Sequence, residues 1–164
     1  MKIILLSVVF VCCILIGLGI GNYFKKRRDF YVDVCNFCDY SSTQISFALK
    51  KINEIVNDAK CNCQKEFFDY LATYEKYLTG EIDAEDYIKA TKINFLTQEE
   101  KAELDGMFLS LGQMNRDEEL EKIAICKKNF GVKKSVCFEK FTKYNNLYFK
   151  LFFLLGLATI VIFL

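Results

Sequence analysis

Residues 3–28 read IILLSVVFVCCILIGLGIGNYFKKRR, an apolar run that ends in four consecutive basic residues. Its first 18 residues, 3–20, carry no charge, and as a helix they would span about 27 Å, close to the thickness of one hydrocarbon core. The basic residues that follow are Lys25, Lys26, Arg27 and Arg28. Because basic residues beside a membrane helix are retained on the cytoplasmic side, this stretch predicts an N-terminal anchor over residues 1–24 with the following residues in the cytoplasm.

A cleaved signal peptide is the alternative interpretation of this end. Its basic n-region would consist of Met1 and Lys2 alone, and no small-residue cleavage site follows the apolar run. The basic cluster at 25–28 would also oppose export of the residues behind it. A retained anchor is therefore the prediction.

The other end of the chain repeats the pattern in reverse. Residues 151–164 form a second apolar run, and adding 147–150 extends it to 18 residues. The segment before it is basic and includes Lys140, Lys143 and Lys150. The same rule of charge then predicts a second membrane span over 147–164, with both termini across the bilayer and residues 25–146 in the cytoplasm.

The composition of the middle segment favours one helical domain. The chain has no proline, tryptophan or histidine, and glycine is scarce after residue 21, which favours long helices. About 120 residues suffice to bury one core. Residues 54–122 contain 17 acidic and 8 basic side chains, a net charge of −9. This charge suits an electropositive partner, and an ordinary solvated helical surface is the alternative that explains most of the pattern; no nucleic-acid partner is expected.

Hydrophobic spacing and capping residues predict the individual helices. A helix over 29–57 is expected to continue out of the anchor and to kink near 49–51; a second covers 66–78 and stops at Gly80. Asp83 is predicted to cap a short helix through Ile93, and Thr97 with Glu100 forms a capping box for a helix over 98–111. A last, long helix keeps one apolar stripe, composed of Ile123, Cys126, Phe130, Cys137, Phe141, Tyr144 and Tyr148. The predicted fold is all-α: a membrane-anchored antiparallel helical bundle whose first and last helices enter the membrane side by side.

Eight cysteines raise the question of metal or redox chemistry. Cys35-x-x-Cys38 and Cys61-x-Cys63 resemble zinc half-sites, yet Cys35 and Cys38 fall on a helical pattern in which this spacing simply shares a face. In the cytoplasm they are expected to be reduced thiols buried as small hydrophobes, with no metal and no cofactor. A membrane-anchored thiol or zinc sensor built on these four cysteines is the alternative. No nucleophile, phosphate-binding or acid–base pattern points to an enzyme.

The most distinctive polar element is the segment 112–119. Asn115 is predicted to cap the last helix, and three acids fall in that helix's first turn, where its dipole favours them. These placements leave Arg116 without a local role, although it could pair with Glu119 or Glu121. We predict a partner-binding surface formed by Gly112, Asn115, Arg116, Asp117, Glu118 and Glu119.

Two segments resemble the stage III sporulation protein AB family. Residues 42–49, STQISFAL, resemble that family's E-T-E-I-S-Y-G-L segment. Residues 108–123, FLSLGQMNRDEELEKI, resemble its L-G-x-S-D-R-E-x-Q-L-x-x-I pattern, with Gly112, Arg116 and Leu120 in matching places. The chain departs from the family after the first segment, where a proline is frequent and this chain has LKKI at 49–52.

The resemblance implies a fold and a function. Such proteins resemble the cytoplasmic domains of the type II secretion inner-membrane platform protein, and they belong to a channel between mother cell and forespore that endospore formation requires. The implied location is the mother-cell membrane around the forespore. The implied partners are a secretion-type ATPase, stage III sporulation protein AA, and other channel proteins, and the oligomeric state is left open.

Overall fold

The computed structural model describes the backbone of residues 2–48 and 50–163. Side-chain environments are described except at 2–7, 9, 13, 144–149, 156, 159, 160, 162 and 163. Throughout the described residues the regular structure is helical. The elements are α1 (Lys2–Thr43), a π-helical segment (Gln44–Ala48), α2 (Ile52–Lys60), α3 (Lys65–Leu78), α4 (Ala84–Ala90), α5 (Gln98–Ser110) and α6 (Arg116–Phe163).

The first helix is continuous through the basic cluster, as predicted, but it ends earlier than expected. The single helix predicted over 29–57 is wrong: α1 gives way to the π-helical segment at Gln44, and α2 begins only at Ile52. The Ser/Thr-rich end of α1 explains the change, because the Ser41 and Thr43 hydroxyls donate to the Cys38 and Asp39 carbonyls, a competition that weakens and bends helices. The predicted kink near 49–51 is thus a complete break, with Leu49 itself outside the described residues.

The predicted caps are confirmed. Asp83 accepts a hydrogen bond from the Asp86 amide at 2.7 Å, and Thr97 and Glu100 form both bonds of the capping box. Asn115 accepts from the Glu118 amide at 2.9 Å. The short helix α4 was also predicted too long, since it ends at Ala90.

One compact unit comprises Asp29–Lys134, and an aromatic cluster forms its core. Phe108 of α5 lies at the centre of this cluster, 4.9 Å from the ring of Phe37 in α1. Its ring lies 5.0 and 4.8 Å from those of Tyr70 and Tyr74 in α3. Of the predicted stripe on α6, Ile123, Cys126 and Phe130 are buried in this unit. Aromatic pairs at such distances add about 0.5–1.5 kcal/mol each beyond the burial of their area.

Polar groups inside this core are paired. The Tyr87 hydroxyl donates to Tyr70, which in turn donates to the buried Asp105 carboxylate, at 2.6 and 2.8 Å. Lys101 completes the network with a salt bridge to Asp105 at 2.8 Å. Burial raises the pKa of Tyr70 well above its usual value, and Tyr87 is shifted in the same direction for the same first reason.

A second compact unit comprises residues 1–28 and 135–164. Within it the beginning of α1 and the end of α6 lie side by side, because the rings of Phe10 and Phe153 are 5.8 Å apart and the Arg28 guanidinium lies 4.5 Å from the centre of the Phe141 ring. The predicted domain boundaries at 24 and 146 remain a prediction.

Among the described residues, no helix has a stretch both long and apolar enough to cross a membrane. The predicted spans over 3–20 and 147–164 therefore have no support from the described part of the chain. Both include residues whose side chains lie outside it, as do Tyr144 and Tyr148 of the predicted stripe.

Alkaline pH should unfold the Asp29–Lys134 unit. In the unfolded chain a tyrosine hydroxyl ionises with a pKa of about 10, whereas the buried Tyr70 hydroxyl stays protonated well above that pH. The free energy of unfolding is therefore fully retained below about pH 10 and falls as the pH rises beyond it. Absorbance at 295 nm and circular dichroism measured together should show part of the tyrosinate signal appearing only with the loss of helix. Complete tyrosine ionisation in a chain that keeps its full helical signal would contradict this.

Candidate partner-binding site

The turn between α5 and α6 is closed by local hydrogen bonds. Gly112 has φ of 79°, in the left-handed region that favours glycine, and this ends α5 as predicted. The Gly112 amide donates to the Glu119 carboxylate, which is only 7% exposed. Asn115 caps the helix behind it. The turn is therefore held in one conformation by groups within eight residues of one another.

Arg116 connects this turn to a distant part of the chain. Its guanidinium donates to the backbone carbonyl of Ser46, 70 residues earlier, in the π-helical segment. Carbonyl groups at a helix end lack the usual partner four residues on and are satisfied by side chains or water. Arg116 thus contacts a distant backbone carbonyl, whereas the sequence suggested only a local ion pair with Glu119 or Glu121.

A cavity of about 430 Å³ lies between the two segments. Its lining combines apolar and charged side chains: Ile45, Lys50, Lys51, Ile52, Gly112, Met114, Arg116 and Glu119. Three of these residues are cationic and one is acidic. The two segments that carry the family resemblance therefore meet at one concave site.

An exposed aromatic residue stands in the π-helical segment. Phe47 is 85% exposed, whereas Ile45 two residues earlier is buried. Sequence reasoning singled out the segment but missed Phe47 as a surface feature. The sequence did contain a signal: Phe47 does not fall on the three- and four-residue spacing of the apolar positions that include Ile45 and Ile52, and this predicts an outward side chain.

The predicted surface residues have different environments. Gly112, Asn115, Arg116, Asp117 and Glu118 are exposed. Glu119 faces inward and supports the turn, so a partner would not contact its carboxylate directly. Contact of the other five with a partner remains a prediction.

The predicted membrane-flanking residues belong to the other compact unit. Lys25, Lys26, Lys140, Lys143 and Lys150 are exposed, and Arg27 and Arg28 are half-buried.

The cysteines occupy two different environments. Cys35 and Cys38 are buried beside Cys126, and burial raises the pKa of Cys35, while a hydrogen bond with Cys126 and burial raise that of Cys38. Such thiols stay protonated and unreactive at neutral pH.

Cys61 is exposed and Cys63 half-buried, and both line a cavity of about 440 Å³ that includes Asp33. Burial, and then the charge of Asp33, raise the pKa of Cys63 to about 11. Among the described residues, no three or more cysteine or carboxylate side chains are arranged to hold a metal ion.

These observations define an all-helical protein whose candidate site is a concave junction of two backbone segments. The model of the stage III sporulation protein AB family matches residues 2–164, and the chain belongs to this family. The family resemblance inferred from sequence is thus confirmed, and with it a role in sporulation. No curated protein and no solved structure matches the chain.

Replacing Glu119 with alanine should destabilise the protein by about 1–3 kcal/mol, since it removes the buried carboxylate that accepts the hydrogen bond from the Gly112 amide. Urea unfolding of the full chain, followed by circular dichroism, measures this. Glu121→Ala, at an exposed position two residues later in α6, is the matched control and should change stability by less than about 0.5 kcal/mol. Equal effects of the two changes would contradict a special role for Glu119.

Proposed function

We propose that this protein is a non-enzymatic membrane platform component of the channel between mother cell and forespore, and that it docks the secretion-type ATPase known as stage III sporulation protein AA. The convergence of segments 42–49 and 108–123 at the Arg116–Ser46 contact carries the proposal. These are the segments by which the chain resembles its family, although 70 residues separate the two contacting positions.

The construction of the junction supports a binding role. An inward carboxylate, an asparagine cap and a guanidinium contact hold the turn before any partner arrives. A surface that is ordered in advance loses less conformational entropy on binding. Five of its six predicted contact residues are also exposed to a partner.

Membrane anchoring at both ends is part of the proposal and rests on the sequence. The uncharged run over 3–20 and the apolar run over 151–164 are each adjacent to basic residues. The positive-inside rule then places residues 25–146 in the mother-cell cytoplasm. The 5.8 Å contact between Phe10 and Phe153 supports neighbouring helices in such an anchor.

An impermeant maleimide should leave Cys61 unlabelled in intact cells and label it after lysis. Cys61 is exposed, so its protection in intact cells would come from the membrane and not from the fold. Buried Cys38 is the internal control, because it should resist the reagent in both conditions while the protein is folded. Labelling of Cys61 in intact cells would overturn the proposed orientation.

Arg116→Glu should weaken capture of the ATPase at least about tenfold, because it reverses charge at the junction. It should cost the fold no more than about 1 kcal/mol, since the side chain is exposed. Arg116→Gln, which retains a donor for the Ser46 carbonyl, separates the loss of charge from the loss of that contact. Lys128→Glu, the same charge reversal at another exposed position of α6, is the control.

Pull-down of the purified ATPase by the full chain in detergent, together with spore yield, is the measurement. If Arg116→Glu folds and matches the wild type in both, the docking surface lies elsewhere. The acidic segment 81–86 would then be the next candidate.

A further inference from the structure

We propose that the cavity between the π-helical segment and the 112–119 turn binds an acidic segment of the partner protein, and that Phe47 is the aromatic anchor beside it. This inference rests on the proposed function and deepens it, because it states which chemistry the partner presents. We refer to the cavity and Phe47 together as the junction groove.

The charges of the junction groove indicate an anionic occupant. Lys51 and Arg116 line it, and the single acid of the lining, Glu119, is turned inward onto the Gly112 amide. Lys50 also lines the cavity but forms a salt bridge with Asp58 at 2.9 Å, and Arg116 keeps its contact with the Ser46 carbonyl, so Lys51 is the cation most directly available to a ligand. The surrounding region has the opposite character, since residues 54–122 carry a net charge of −9. A local basic site on an acidic region selects carboxylates by electrostatic complementarity.

The start of α2 adds to this preference. Lys51 is the residue that precedes α2, and its ammonium group, which has no acceptor, cannot cap the first turn, where Glu54 is the one acid. A helix N-terminus without such a cap favours a negative group brought by a ligand. Lys51 and Ile52 both line the cavity, so a partner carboxylate there would be close to the helix end as well as to the cations.

The apolar residues indicate that the occupant is a protein segment. Ile45, Ile52 and Met114 line the concave part, where a partner's apolar side chain would find apolar contacts. A cavity of about 430 Å³ suits a side chain better than the flat headgroup layer of a lipid surface. Phe47 does not line the cavity, but it directly follows Ser46, whose carbonyl Arg116 contacts. Its ring is 85% exposed and offers a large apolar surface to a partner that extends past the edge of the cavity.

Two substitutions test the two parts of the groove. Phe47→Ser removes the ring and Lys51→Glu reverses a charge, and both positions are exposed, so the melting temperature should be unchanged. The dissociation constant for the purified ATPase, measured with the full chain in detergent, should rise about thirtyfold for Phe47→Ser and about tenfold for Lys51→Glu. Phe68→Ser, which removes a phenylalanine 43% exposed on α3, and Lys65→Glu are the matched controls and should change it less than about twofold.

A photo-crosslinking amino acid at position 47 identifies the occupant in sporulating cells. We expect a crosslink whose partner peptide, located by mass spectrometry, carries at least two carboxylates. Reversing the charge of those carboxylates should restore binding to Lys51→Glu. A crosslink at position 47 to lipid, or the same yield at position 68, would overturn the inference.

The outcomes separate this inference from the proposed function. If Arg116→Glu weakens ATPase capture but Phe47→Ser and Lys51→Glu bind like the wild type, the ATPase docks outside the junction groove and the inference fails alone. If the wild-type chain does not bind the ATPase, yet position 47 crosslinks to an acidic segment of another channel protein with rescue by charge reversal, the groove stands and ATPase docking fails.

Discussion

The aromatic cluster around Phe108 is the interaction on which the rest of the Asp29–Lys134 unit depends. Its ring contacts Phe37 of α1 and Tyr70 and Tyr74 of α3. Phe108 lies four residues before Gly112, and Phe37 seven residues before Gln44. The packing of these two rings therefore places the end of α1 next to the turn that follows α5. Arg116 is then close enough to donate to the Ser46 carbonyl.

Buried carboxylates give this packing its specificity. Glu100 accepts a hydrogen bond from the Tyr31 hydroxyl of α1 at 2.9 Å, and it also completes the capping box of α5. One side chain therefore fixes both where α5 begins and which helix packs against it. Asp105 performs a similar task for Tyr70 of α3. Each would be costly to bury without a partner, so alternative arrangements of these helices are penalised.

A large part of the fold could be predicted because its signals are local. Thr97 and Glu100 are three residues apart, and a capping box needs nothing else. Gly80 and Gly112 have positive φ where a helix must stop. The extent of the first helix was mispredicted because a π-helical segment and a Ser/Thr-rich helix end leave the apolar spacing almost unchanged.

The sequence by itself determined the all-helical class, the caps and the sporulation family, since each depends on neighbours within a few residues or on recognisable motifs. Only the tertiary structure decided that Arg116 contacts Ser46, that Glu119 faces inward and that Phe47 stands exposed. The reason is physical. A side chain's partner across 70 residues is chosen by how the core packs, and no spacing rule along the chain encodes that choice.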